Sequence, residues 1–294
     1  MIRRDAIGPD GRACWILISQ IEHARLAGSL AAPWGRPPFA PLVPRDEVLA
    51  AVTHHDDGWR DWEQRIHLDP AHARPRDFME MPLEDSLAIW SGSIESAAAI
   101  GPLAGYMVAG HFLHLLKASK AWEEAEGANN QNSNDSTPAA THDAAHRWAQ
   151  AQEAQQARWL GQWLAAGDRV SENVNRVKER HGASRRLRAG DRAPEIALQA
   201  VALLRFFDAV SLWFCCRNRT DPYNLDPPGG PTLTLAPGRE DRVGCSPWPF
   251  LVPRLELQVQ GQSIPARPYR SDAELAAADR QPLTLRWTLV ESET

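Results

Sequence analysis

One stretch of the chain, residues 194–216, constrains the fold more than any other. It is hydrophobic on almost every side of a helix, and helices of that kind are buried. Asp208 lies in its middle, beside Ser211. An ionised carboxylate in apolar surroundings needs a metal ion or another cation as its partner. We therefore favour a metal ligand, with an ion pair to Arg205 as the alternative.

A second polar group follows an aliphatic run. Residues 48–52 (VLAAV) read as the end of a buried helix, and residues 54–58 (HHDDG) come directly after it. Imidazole nitrogens and carboxylate oxygens together suit divalent metals such as Zn, Fe and Mn. The alternative is a helix end at which these side chains cap the backbone and contact solvent, with Gly58 as the terminator.

Other histidines lie on separate predicted helices. Ser19 is a good N-cap for a helix that carries His23 in its first turn, where a lone histidine is more often structural than a ligand. His111 and His114 are three residues apart in the helix predicted over 103–117, so they share a face. One of them could instead bond a backbone carbonyl while the other contacts solvent.

Composition excludes several classes of partner. Of 294 residues 43% are hydrophobic and the net charge is -5 without a basic tract, which argues against a nucleic-acid surface. No apolar run reaches the length of a membrane span, and the N-terminal residues do not resemble a signal peptide. The four cysteines form no disulfide pattern. We expect a cytoplasmic protein with a small-molecule substrate, and the oligomeric state stays open.

The chain is predicted to form a single domain over residues 1–294. Its helical core spans about 19–220 and is interrupted at 127–141 by a low-complexity, Asn-rich insertion. Residues 231–294 change to short alternating segments between Pro/Gly-rich turns, as in antiparallel strands. We expect this β-rich appendage to pair with a hairpin formed by residues 1–18.

The order of the candidates along the chain resembles the HD-domain superfamily of metal-dependent phosphohydrolases. A lone His23 is followed by the adjacent pair His55-Asp56, then by His111 and by the late Asp208. Over most of its length the chain looks more narrowly like a bacterial family, the domain of unknown function numbered 3891. The stretches that carry this second resemblance are 18–24 (ISQIEHA), 54–59 (HHDDGW), 110–112 (GHF) and 207–212 (FDAVSL).

The resemblance to the HD-domain superfamily implies a fold and a metal site. The expected fold is mainly α, an HD-like helical bundle with a small antiparallel sheet formed by the N-terminal hairpin and the C-terminal strands. The implied ligands are His23, His55, Asp56 and Asp208, and the implied cofactor is a divalent ion: Mn, Zn, Mg or Fe. Binuclear relatives supply a further histidine before the final aspartate. His114, His142 and His146 do not match it clearly, which argues against a second metal.

The same resemblance implies a metal-dependent hydrolase, specifically a phosphohydrolase acting on a small phosphoester or nucleotide. Asp57 would accept or relay a proton, and His111 would serve a second metal or contact substrate. Arg25, Arg60 and Lys117 are candidate phosphate contacts. The alternatives are a non-enzymatic metal or small-molecule binding protein and a di-iron oxygenase of the HD type.

The metal interpretation makes one expectation about stability. Without metal, the Asp208 carboxylate would be buried among apolar side chains with no compensating charge. Replacing it with asparagine should then cost little in metal-free protein, or even stabilise it.

Overall fold

The computed structural model describes residues 1–119, 122, 138–179, 193–216 and 221–292, with the side chains of 138–142 and 168–179 left out. The helices are α1 Gln20–Ala31, α2 Arg45–His54, α3 Trp59–Trp62, α4 Leu83–Ile100, α5 Pro102–Lys117, α6 Pro138–Glu179, α7 Ala193–Cys216 and α8 Asp272–Ala276. The strands are β1 Ile2–Ile7, β2 Ala13–Ile18, β3 Leu68–Asp69, β4 Arg74–Pro75, β5 Tyr223–Leu225, β6 Leu233–Pro237, β7 Arg242–Ser246, β8 Arg254–Pro265 and β9 Gln281–Glu291.

The predicted fold class is wrong. The structure is about 49% helical and 22% strand, and a seven-stranded mixed sheet curls into a half-barrel, so this is not a mainly α, HD-like bundle. The strand order is β1-β2-β8-β9-β7-β6-β5, and β7 pairs with β9 in parallel. Local alternation did not show that β8 and β9 are 12 and 11 residues long. Nor could it show the parallel pair, because pairing partners far apart in sequence leave no local pattern.

Both ends of the described chain contribute to this sheet. A turn with a positive-φ glycine, Gly11 (φ 76°), joins β1 to β2, and the Gly8 N–H donates to the Arg12 carbonyl at 2.8 Å. Strand β2 pairs with β8, and β8 pairs with β9. Of the predicted insertion 127–141, residues 127–137 lie outside the described residues, and 138–141 belong to the start of α6.

Helix α7 is the central helix of the hydrophobic core. Its Phe207 and Phe214 side chains are almost fully buried, and it packs against α1 and α5. By length and mean hydropathy (24 residues, 1.5) α7 could also cross a membrane, but half of it is buried inside the protein. A core helix passes the same test, and the packing of α7 fits that explanation.

Two contacts hold the helices around α7 at close distance. A Cβ on Gly28 of α1 would meet the Thr53 hydroxyl of α2 at 2.3 Å, so only glycine allows these helices to approach as they do. The Glu47 carboxylate of α2 accepts the Leu103 and Ala104 N–H groups of α5 at 2.9 and 3.3 Å. Unpaired N–H groups at a helix start are satisfied in this way. The ends of α1, α2 and α5 are therefore placed precisely relative to one another.

Candidate metal centre

Five polar side chains meet where α1, α2, α5 and α7 converge. His23 lies on α1, His55 and Asp56 follow α2 directly, His111 lies on α5 and Asp208 on α7. The first four are at most 5% exposed as residues, and the Asp208 side chain is 13% exposed. Each belonged to the set predicted from the sequence, and the fold brings all of them together.

Four atoms of this cluster lie at the spacing of a metal coordination shell. The His23 Nε2 atom is 2.9 Å from Asp208 Oδ1 and 3.6 Å from Asp56 Oδ2, and the His55 Nε2 atom is 3.4 Å from each of these oxygens. Ligands about 2.0–2.2 Å from one ion stand about 2.8–3.6 Å apart in tetrahedral or octahedral shells. His23, His55 and Asp208 each offer one ligand atom within 4.8 Å of the others. Asp56 contacts both histidines of that set.

Hydrogen bonds from outside the cluster select which nitrogen each ring presents. The His55 Nδ1 atom donates to the Val52 carbonyl at 2.8 Å, which leaves Nε2 of the neutral ring without a proton. The Ser211 hydroxyl donates to the Asp208 carbonyl at 2.9 Å, so it accepts from His23 Nδ1 at 2.8 Å. Both Nε2 lone pairs then face carboxylate oxygens. An arrangement of acceptors with no donor needs a cation, either a proton or a metal ion.

The electrostatics of the cluster favour a positive charge beside its carboxylates. Burial lowers the pKa of His55, but the carboxylates of Asp56 and Asp208 outweigh burial and raise it to about 9. Burial acts to raise the pKa of Asp208, but its contacts with His23 and His55 hold it well below the ordinary value. Burial raises the pKa of Asp56 despite the opposing effect of the two histidines. A positive charge beside Asp208 is therefore favoured, and a divalent metal ion bound there would compete with a proton on His55.

His111 extends the row of imidazoles. Its ring centroid is 5.5 Å from that of His55, which is 5.3 Å from that of His23. Burial lowers the pKa of His111 to about 3, so the ring is neutral and a weak base. Its buried Nδ1 atom has no hydrogen-bond partner among the described residues. These properties suit a ligand or a hydrogen-bond partner for substrate better than a general base.

The other predicted site residues are engaged elsewhere. Asp57 contacts His54 at 3.1 Å and Arg60 at 3.0 Å, and Arg25 pairs with Glu22. Lys117 likewise pairs with a carboxylate, that of Glu153 at 2.5 Å. Each of these residues is therefore already paired with a side chain outside the cluster.

The structure also gives the surroundings of Arg205 and of two further histidines considered from the sequence. Arg205, the rival partner of Asp208, instead bonds His114: its Nη2 atom is 2.6 Å from His114 Nε2. His146 packs against Trp122, and the side chain of His142 lies outside the described residues.

The sequence interpretation missed the role of Ser211. It noted this serine only as a neighbour of Asp208. The signal was its position three residues after Asp208, which places its hydroxyl beside the same group of side chains.

A cavity of about 530 Å³ opens beside the centre but does not include it. Its lining includes Ala209, Leu212 and Trp213 of α7 together with Arg3 and Tyr223, and no member of the cluster lines it. These positions lie on the face of α7 next to the one that carries Asp208. The site is therefore defined by the positions of its metal-ligand atoms and not by this cavity.

Comparison with known proteins gives one match. Residues 7–266 match a family model described as "Protein of unknown function (DUF3891)". No curated protein and no solved structure matches the chain.

Proposed function

The chain belongs to the DUF3891 family, and on that premise we propose that its buried His–Asp cluster is the divalent-metal centre of a hydrolase acting on small phosphoesters. The observation that carries the proposal is the convergence of two imidazole Nε2 atoms and two carboxylate oxygens, with nitrogen–oxygen distances of 2.9–3.6 Å. The ligand order His, His-Asp, Asp resembles that of HD-domain phosphohydrolases, and this resemblance is the reason for naming phosphoesters.

The residues present fit a divalent ion. His23, His55, Asp56 and Asp208 would hold it, and the buried His55 Nε2 atom has no hydrogen bond among the described residues that binding would break. Neutral imidazole and carboxylate suit Zn, Mn or Fe. Such an ion lowers the pKa of a bound water and neutralises phosphate charge. Val52 and Ser211 hold the two rings with Nε2 facing inward, as partners of metal-bound histidines commonly do.

The test begins with the metal itself. Protein purified without added metal should contain close to one equivalent of a divalent ion by elemental analysis, and His55→Ala should lose it. Arg254→Gln, on an exposed strand position paired with Glu256, serves as the control and should retain the metal. Metal-dependent release of phosphate from a broad phosphoester panel then tests catalysis. A metal-free wild type that binds no added Mn²⁺ or Zn²⁺ would sink the proposal.

A non-catalytic metal-binding role is the second candidate. The observation that favours it is burial, since even the most exposed ligand, Asp208, has only 13% of its side chain accessible. On this alternative the metal stabilises the junction of four helices. Ligand substitutions would then lower thermal stability while no substrate is turned over under any metal.

A further inference from the structure

Arg205 and His114 form a hydrogen-bonded pair one helical turn from the cluster, on two of the helices that meet there. Arg205 precedes Asp208 by three residues on α7, and His114 follows His111 by three residues on α5. Residues three apart on a helix occupy the same face. The 2.6 Å contact between Arg205 Nη2 and His114 Nε2 therefore joins α7 to α5 directly beside the proposed metal centre.

The chemistry of this contact leaves the guanidinium available. Burial and the nearby Arg205 charge both lower the pKa of His114, so the imidazole is neutral and accepts one hydrogen bond from Arg205. In the described part of the chain Arg205 makes no salt bridge, although its side chain is half-buried. A guanidinium has five N–H donors in a planar fork that matches phosphate oxygens. One of the five is used here.

The cations predicted from the sequence, in contrast to Arg205, have anionic partners. Arg25, Arg60 and Lys117 are each paired with a carboxylate, at 2.7, 3.0 and 2.5 Å. A carboxylate beside each of them already compensates its charge and would repel a second anion. Among the residues that the structure describes, Arg205 holds only a neutral partner, which orients it without neutralising its charge.

We infer that Arg205, oriented by His114, forms an anion subsite that binds the phosphate group of the substrate beside the metal centre. The inference rests on the proposed function and replaces Arg25, Arg60 and Lys117 as the phosphate contacts. Arg205 would donate paired hydrogen bonds to two phosphate oxygens while a third faces the cluster. His114 is a positioning residue, because it acts by holding the guanidinium fork in place.

The experiment separates this inference from the metal proposal. Metal content is measured first, on wild type, Arg205→Gln, Arg205→Lys and the exposed control Arg254→Gln. Inorganic phosphate is then titrated into each protein by calorimetry, once with Mn²⁺ and once with chelator. We expect unchanged metal content in all four proteins. Phosphate binding should weaken about ten- to a hundredfold in Arg205→Gln, less in Arg205→Lys, and not in Arg254→Gln.

Several results would overturn the inference while leaving the metal centre intact. These are phosphate affinity in Arg205→Gln equal to wild type, an equal loss in Arg254→Gln, or no phosphate binding by metal-loaded wild type. Wild-type protein provides a further measurement if Arg205→Gln does not fold. Inorganic phosphate should protect Arg205 from phenylglyoxal, mapped by mass spectrometry, and unprotected labelling would count against the subsite. Failure of the metal proposal would instead be seen as the absence of bound metal from every protein, including wild type.

Discussion

Replacing Asp208 with asparagine should destabilise the metal-free protein and abolish its response to metal. In the structure Asp208 Oδ1 lies 2.9 Å from His23 Nε2 and 3.4 Å from His55 Nε2. Two carboxylates raise the pKa of His55 from 6.5 to about 9, which corresponds to about 3 kcal/mol in favour of the charged ring. If Asp208 supplies about half of this stabilisation of His55, its removal costs about 1.5 kcal/mol. The loss of its hydrogen bond with His23 costs about 1.5 kcal/mol more, so the free energy of unfolding should fall by about 3 kcal/mol.

The assay is thermal melting at pH 7 of wild type and Asp208→Asn, each with saturating Mn²⁺ and with chelator. A loss of about 3 kcal/mol should lower the Tm of the chelated variant by about 5 °C relative to chelated wild type, because the unfolding entropy of a chain of 294 residues is large. Metal at a hundredfold excess over Kd stabilises wild type by about 2.7 kcal/mol, so chelator should lower its Tm by a similar amount. The variant should melt at the same temperature with or without chelator. Asp279→Asn, which alters an exposed carboxylate bonded to Gln281, should behave as wild type.

Two results would refute this reasoning separately. A chelated Asp208→Asn as stable as chelated wild type would mean that the imidazoles do not compensate the carboxylate. That result would restore the expectation from sequence, in which asparagine costs little. A wild type whose Tm is unaffected by chelator would mean that the cluster is a structural ion pair and binds no metal.

The other predictions concern the groups that support the cluster. Ser211→Ala should lower metal affinity about ten- to a hundredfold in an equilibrium dialysis assay, because His23 loses the acceptor that selects its tautomer. Ser211→Thr keeps a hydroxyl and should retain most of the affinity. Equal metal affinities in Ser211→Ala and wild type would contradict this role of Ser211. Glu47→Gln should lower the free energy of unfolding by about 1–2 kcal/mol in urea, since the N–H groups that start α5 lose a charged acceptor. The pKa of Glu80 is lowered from 4.5 to about 2, chiefly by its hydrogen bonds with Arg3. Its stabilisation is therefore present above about pH 4.5 and lost as pH falls toward 2. Glu80→Gln should lower the free energy of unfolding at pH 7 by about 1–2 kcal/mol, a value discounted for solvent screening. It should also flatten the acid-denaturation curve between these pH values, and an unchanged curve would contradict the role of Glu80.

The residues of the centre were predictable from the sequence because their chemistry is unusual for their surroundings. Asp208 in an apolar helix and the His55-Asp56 pair after an aliphatic run each carry a desolvation cost that demands a partner. The partners themselves were not predictable in the same way. The bond from Arg205 to His114 and the tautomers set by Ser211 and a backbone carbonyl depend on how separate helices meet, which no local pattern records.

The fold was predictable only at the level of its elements. The N-terminal hairpin and the buried helix α7 are confirmed, since turn residues and hydrophobic periodicity act locally. The sheet was underestimated, because β5 has three residues and β7 has five with a glycine at its centre, so both are short and give a weak strand signal. Their place in the sheet depends on partners such as β9, which pairs with β7 in parallel.

The position of β9 affects how the chain folds during its synthesis. This strand lies between β8 and β7, and it is the link between β1-β2-β8 and β7-β6-β5 in the sheet order. Every helix that carries a cluster residue precedes it, so a nascent chain emerging N-terminus first can assemble those helices before the sheet is continuous. A chain halted before residue 281 would expose two open strand edges, and such edges pair readily with other chains. Ribosome stalling or proteolysis in this region should therefore yield aggregates rather than a smaller folded domain.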